Sequence, residues 1–393
     1  MRIAICLFCV IFSISDGFAQ NSLLPDSSIA AGTVKSSAQS PKTLDEGHFR
    51  FYGFGRTVFT LDDQNLGGSD LFVPANIKVG QTKEPNFFIT AKQTRAGFDY
   101  TRPHGSHLLK VKLEGDFHND ASNSTGLLRM RHAYAEYKYL TVGMTWSNFF
   151  DEGVNPTVVD FEGPNSSTLS RTPQLKFSTF KSKNTLSVSF ENPNENVTLG
   201  GSIKALPIRF PDLITAYKFN GKHGFVKLAG LLRELRYDSD KSRSLIGYGV
   251  NLMSLVNISA ADKLRIQVVG GTGIARYIQG VSGLNYDAVF DSTNTLKKLD
   301  MYGLNVSYQH FWRRELYSSL TAGFLNVEKN KNLTPGNYWK SYYASVNLFY
   351  EVFSNLSFGY EVLAGERVDI NGEKQSAVRL QMNATYKFNQ PNK

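Results

Sequence analysis

Arg129 and Arg131 stand two positions apart in LLRMRHAYAEY, flanked by Leu128 and Met130. In an extended chain this spacing puts both guanidiniums on one side and both apolar groups on the other. If the apolar side meets lipid, the guanidiniums meet water, because an arginine at the bilayer midplane costs roughly 2–4 kcal/mol. The same reasoning turns Lys110 and Lys112 of LKVKLEGDF, Lys176 of TPQLKFSTF and Arg265 of DKLRIQVVG toward water. Arg95 belongs to a segment that alternates poorly, and its side is less sharply fixed. A column of fixed cations along a wet passage lowers the electrostatic cost of passing an anion and raises it for a cation. The same cations can also pair with Glu114, Asp116 and Glu136 and hold a wall together. The two roles are compatible.

A second stretch with chemical potential is SNFFDEGVNPTVVDFEGPNSSTLSR, residues 147–171. It carries Asp151, Glu152, Asp160 and Glu162 together with Phe149, Phe150, Val158, Val159 and Phe161. A loop surrounded by water has little reason to hold so many large apolar groups. Folded against the inside of a barrel it would bury them and narrow the passage, with its carboxylates facing the basic residues. Opposite charges across a constriction would set up a transverse field that orients small zwitterions or dicarboxylates. The alternative is an external loop packed on a neighbouring subunit.

The elements that must position these groups are strands. VRLQMNATYKF, residues 378–388, puts Val378, Leu380, Met382, Ala384, Tyr386 and Phe388 on one face and polar residues on the other. In LKVKLEGDF the charges recur at period two, which a helix cannot accommodate on one side. Comparable stretches are read at 49–59, 88–100, 109–117, 125–139, 140–146, 172–180, 184–190, 211–219 and 223–235. More follow at 243–252, 262–270, 299–311, 316–327, 342–352 and 355–363, and with the last strand they make sixteen. Short connections alternate with long ones rich in Asn, Gly, Ser and Pro, and no repeat of fixed period is present. These features predict an all-β protein, a closed antiparallel transmembrane β-barrel of sixteen strands with an inward-folded constriction loop.

The first residues, MRIAICLFCVIFSISDGFAQ, place Arg2 before an apolar run and small Gly17 and Ala19 near its end. They predict a secretory signal peptide over residues 1–19, removed after Ala19. Residues 20–47 show no sustained period and predict a flexible periplasmic lead-in. The barrel is expected over 48–388, with a short tail at 389–393. Both cysteines, Cys6 and Cys9, fall within the signal, so the mature chain has no thiol chemistry. The net charge is +9, but the basic residues are spread singly through strands, which disfavours nucleic-acid binding. His104 and His107 form an H-x-x-H pair that lacks a further ligand, and no Gly-x-Ser-x-Gly elbow is present. No catalytic residue, metal or cofactor is expected, so the chain is read as a non-enzyme. A porin for small hydrophilic solutes is the leading function. A non-conducting structural or adhesin barrel is the runner-up, ahead of an outer-membrane hydrolase.

The succession ITAKQTRAGFDY, LEGDFHND, LLRMRHAYAEY, VGMTWSNFFD and DFEGP resembles the DcaP-like family of trimeric outer-membrane porins of Gram-negative bacteria. The similarity is densest between Phe88 and Gln174. It implies a sixteen-stranded homotrimer in the outer membrane, surrounded by lipid or lipopolysaccharide and passing small organic anions such as dicarboxylates. On the same basis Arg95, Arg129, Arg131 and Arg171 would face the pore, and Asp151 and Asp160 would belong to the constriction loop. This sequence departs from the pattern in two places. Residues 20–47 lack the heptad spacing of the coiled-coil extension that some members carry, and five residues follow the terminal aromatic Phe388.

Overall fold

The structure, a computed structural model, describes residues 47–67, 70–118, 126–181, 183–193, 206–237, 243–293 and 295–389. The expected signal peptide, the lead-in except Gly47, and the tail after Asn389 lie outside the described residues.

Among the described residues nineteen strands follow in order. They are β1 (His48–Asp62), β2 (Asn86–Thr90), β3 (Arg95–His104), β4 (His107–Asp116), β5 (Arg129–Tyr137), β6 (Leu140–Trp146), β7 (Arg171–Lys181) and β8 (Asn184–Glu191). Next come β9 (Asp212–Gly221), β10 (Gly224–Tyr237), β11 (Arg243–Asn257), β12 (Asp262–Thr272), β13 (Ala288–Phe290) and β14 (Leu296–Lys298). The last are β15 (Asp300–Arg313), β16 (Leu316–Val327), β17 (Tyr338–Phe353), β18 (Leu356–Asp369) and β19 (Lys374–Phe388).

Around the wall each strand pairs antiparallel with its neighbour, β12 passing directly to β15, and β19 returns to β1 from Gly53↔Phe388 to Asp62↔Arg379, which closes the barrel. The stretch predicted as one strand at 88–100 is two, β2 and β3, both paired to β1. A turn at 91–94, closed by the Thr94 amide on the Ala91 carbonyl, separates them. Together they form one stave, so the wall has sixteen. β13 and β14 make a separate hairpin within a long connection.

The two faces divide as the alternation demands. In β19, Leu380 is 47% exposed while its neighbour Arg379 is fully buried, and Gln381, Asn383 and Thr385 are buried with it. At β5, Met130 and Leu128 just before the strand project outward, 56% and 70% exposed, and Arg131 is buried inside. Short turns lie on the rim that carries both barrel ends, and long loops lie on the other, so the long-loop rim is extracellular.

Large apolar side chains are also buried inside the barrel. Phe149, Phe150 and Val154 of the 147–170 connection pack with Ile274, Ala275, Tyr277, Ile278 and Val281 of the 273–299 connection. Both sets rest on Ile214, Ala216, Ala229 and Met253 of β9 to β11. From the first loop, Phe72 and Ile77 pack against Tyr343 of β17, Leu363 of β18 and Ala377 of β19. Three loops therefore fill the lumen against the β9–β19 wall and leave its opposite side open.

Glycines make the seat for the 147–170 loop. A Cβ on Gly303 of β15 would lie 2.5 Å from the Cβ of Ser166, and one on Gly323 of β16 would lie 2.6 Å from Asn165 Oδ1. Only a residue without a side chain lets Ser166 and Asn165 sit that close to the wall.

Candidate permeation site

The open side of the lumen holds a cavity of about 530 Å³ whose lining includes Arg56, Arg95, Arg129, Arg131 and Arg171. Local geometry explains the convergence. Arg95, Arg129 and Arg171 are the first residues of β3, β5 and β7, which all run toward the periplasmic rim. Register holds two of them at one height, since Asp116 of β4 is opposite both Arg95 and Arg129. Arg171 is likewise opposite Trp146 at the end of β6.

Three of these cations are paired with carboxylates. Arg129 donates through Nε and Nη2 to the two carboxylate oxygens of Asp116, at 2.9 and 2.8 Å. Arg131 donates through Nε to Glu114 at 2.9 Å and through Nη1 to Asp116 at 2.8 Å. Arg95 lies 3.3 Å from Glu114, which also accepts the Tyr52 hydroxyl at 2.9 Å. Forked, charge-assisted bonds of this kind fix guanidinium direction as well as charge.

Two arginines differ. Arg56 donates to neutral groups, Thr385 Oγ1 at 3.0 Å and Gln93 Oε1 at 3.3 Å. Arg171 stacks over the Trp146 ring at 4.7 Å, and its buried Nη1 has no hydrogen-bond partner. Among the described residues, neither has a carboxylate within ion-pair distance. The cluster therefore carries more positive than negative charge.

The facing side comes from the 147–170 loop. Phe161 places its ring 5.6 Å from the Arg129 guanidinium, 5.8 Å from that of Arg131 and 4.9 Å from the His118 ring. Glu152, Asp160 and Glu162 line the cavity. Asp160 is turned onto loop backbone, accepting the amides of Phe72 of the first loop and of Glu162 and Gly163 of its own at 3.1, 3.2 and 3.1 Å. It also accepts the Tyr343 hydroxyl at 3.2 Å. Burial, with the Glu361 charge beside it, holds the Asp160 carboxyl well above the usual carboxylate range. Burial pushes Glu162 up to about 7, against the opposing pull of Gln279, His118 and Arg129.

Polar residues of the far wall hold this loop in place. Asn165 donates to the carbonyl and hydroxyl of Ser341 at 3.1 and 2.7 Å. Asn347 donates to the Thr157 carbonyl at 2.8 Å, and Asn251 donates to the Phe149 carbonyl at 2.7 Å. Thr168 Oγ1 accepts from Asn251 at 3.0 Å and Gln267 at 2.8 Å. The inward fold expected of residues 147–171 is thus present.

Of the basic residues singled out in the sequence, Arg95, Arg129, Arg131 and Arg171 meet in the main cavity. Lys110 and Lys112 instead line a second cavity of about 480 Å³ near the periplasmic rim, with His48, Arg50, Asp99 and Tyr134. There Lys110 pairs with Glu136 at 3.1 Å, and Lys112 lies 3.8 Å from Asp99 and 3.9 Å from Glu114. The wall-pairing role considered for these residues is thus present at Lys110 and Lys112. Lys176 and Arg265 fall on inward-facing positions, opposite Ser189 and Ser307, and line neither cavity. Asp151 turns from the arginines toward Lys218 at 2.8 Å and Lys227 at 3.9 Å.

Sequence reasoning missed Arg56, although its place in FRFYGFGRTVF shares the face of Tyr52 and Phe54. It also missed Lys218 and Lys227, and the contribution of Gln279, Ser282 and Leu284 from the 273–299 loop. The cluster Ile274, Tyr277, Ile278 and Val281 was the available signal, the same one that marked residues 147–171.

The DcaP outer membrane protein family matches residues 17–388. This chain belongs to that family. Among solved structures, the outer membrane channel DcaP of Acinetobacter baumannii aligns at 23% identity with a TM-score of 0.77, covering 87% of this chain and 97% of that one. An anion-selective porin from Comamonas acidovorans aligns at 9% identity and TM-score 0.61, over 87% and 100%. The trimer form of OmpT of Vibrio cholerae aligns at 13% and 0.54, over 88% and 100%. No curated protein sequence matches. The DcaP-family chain is an outer-membrane porin with the sixteen-stranded barrel of those channels.

Proposed function

We propose that this DcaP-family porin passes small hydrophilic solutes by passive diffusion and favours organic anions, dicarboxylates among them. The observation that carries this reading is the pair Arg56 and Arg171, which bring charge into the main cavity without a carboxylate partner among the described residues. Fixed positive charge in a narrow, partly desolvated passage favours anion entry. A dicarboxylate can engage two guanidiniums at once, and the anion-selective Comamonas neighbour shares the fold. The cavity serves binding and passage, with no covalent chemistry.

The mature chain starts after Ala19, with residues 20–47 in the periplasm. It assembles as a homotrimer through outward apolar surface. Support for that assembly comes from the strongly exposed Phe49, Phe51, Phe87 and Ile89 on adjoining staves and from the trimer form of the OmpT neighbour.

Planar-bilayer recording in a KCl gradient tests the reading. Open channels with an anion-biased reversal potential are expected, and Arg56→Gln with Arg171→Gln should shift that potential toward zero. A cation-biased wild type, or a double variant with unchanged potential, would remove the proposed selectivity. The loop-filled lumen favours the second reading, a non-conducting barrel, and it predicts no conductance steps at all.

A further inference from the structure

Outside the lumen, the extracellular end of β17 carries Trp339 with two lysines against its ring. Lys329 Nζ lies 3.8 Å from the ring centroid and Lys340 Nζ lies 4.1 Å from it. The two ammoniums can be no farther apart than those distances combined. Lys329 also donates to the Ile370 carbonyl at 3.0 Å, which fixes its direction. Lys340 reaches the Tyr342 ring at 5.8 Å. Tyr342 is on the lipid-facing side, so this group stands on the outer wall.

Neither ammonium has a carboxylate within ion-pair distance among the described residues. Glu366, the outward carboxylate of the neighbouring strand, is taken by Lys374 at 3.3 Å and the Ser376 hydroxyl at 3.2 Å. Glu328 lies against the backbone amide of Asp300 at 3.4 Å. Like charges held close together are unfavourable unless an anion joins them. The height of the group suggests which anion. Tyr302, Phe324 and Tyr342 form a continuous aromatic row across β15, β16 and β17, with centroids 5.9 and 5.2 Å apart. Such a row marks the boundary between acyl chains and head groups. The lysines sit at its extracellular end, where lipid phosphates lie. Lys298, placed 5.3 Å from the outward Tyr248 ring, adds a further cation on the same rim.

We infer that Lys329, Lys340 and Trp339 form a docking site for the phosphate of an outer-leaflet lipid, the phosphorylated glycolipid of the outer membrane. The ammoniums bind the phosphate, Trp339 holds them in register, and the aromatic row packs against the first methylenes of the acyl chains.

The test is native mass spectrometry of the folded oligomer titrated with lipopolysaccharide and with its enzymatically dephosphorylated form. The wild type should bind the phosphorylated form more tightly, and Lys329→Gln with Lys340→Gln should weaken that binding by about 10- to 30-fold. The double variant should bind both forms alike and keep wild-type conductance, which shows that it is folded. Equal affinity of the wild type for both forms would overturn the site. So would an unchanged affinity in the double variant, or full competition by millimolar inorganic phosphate, which would make the ligand a free anion.

Discussion

Glu361 of β18 accepts two consecutive backbone amides from the 147–170 loop, those of Val159 at 3.1 Å and Asp160 at 2.8 Å. It also accepts the Asn347 side-chain amide at 3.0 Å. One inward carboxylate thus fastens the middle of a loop whose own ends lie across the barrel.

Replacing Glu361 by Leu should free that segment. Two buried N–H groups would lose their acceptor, at about 1–3 kcal/mol each. The barrel strands do not depend on them, so strand content should remain while the loop loosens. Single-channel conductance should rise with a lower unfolding temperature, and unchanged conductance would mean that Glu361 does not hold the constriction.

A side chain placed in the glycine seat should act on the same loop from the other side. A Cβ at Gly323 would meet Asn165 Oδ1 at 2.6 Å and the Pro164 Cβ at 3.0 Å. Gly323→Val cannot be absorbed without moving residues 164–165, and β-branching adds further bulk there. The expected outcome is larger, noisier channels from a correctly folded barrel. Channels of wild-type size and quietness would show that the seat tolerates a side chain.

Most of the wall was legible because its rule is local. Leu380 and Arg379 are adjacent residues sent to opposite solvents, and that contrast repeats along most of the wall. The interior was less legible because it depends on contacts between distant residues. Nothing near Asp151 in the sequence says that it meets Lys218 and not Arg129. The break between β2 and β3 was hidden because Ala91 to Thr94 carry no Gly or Pro to mark a turn. The 273–299 loop carries Ile274, Tyr277 and Ile278 without a matching set of carboxylates, so only its apolar content marks it as a lumen filler.

Arg131 and Arg171 should separate stability from selectivity. Arg131 engages both Glu114 and Asp116 from a buried position, so Arg131→Gln leaves two inward carboxylates under-compensated. Removing one partner of a buried ion pair costs about 3–5 kcal/mol. Arg171 contributes a buried nitrogen with no acceptor, and Arg171→Gln should leave stability within about 1 kcal/mol or raise it slightly. Thermal unfolding of the two variants in one detergent makes the comparison. Equal losses would mean that Arg171 is bound more firmly than its contacts indicate.

Glu162 should make selectivity depend on pH. Burial raises its carboxyl to about 7, so it holds its proton below neutrality and is ionised above it. Between about pH 6 and 8 the main cavity therefore gains one negative charge beside its arginines, following the ordinary titration of a single group. Anion preference should fall as pH rises through this window, and it should be strongest on the acidic side. In Glu162→Gln the charge never appears, so that variant should keep the acidic-side reversal potential up to pH 8.5. The same pH slope in variant and wild type would assign the titration to another group, and a slope of opposite sign would mean that Glu162 does not face the permeating ion.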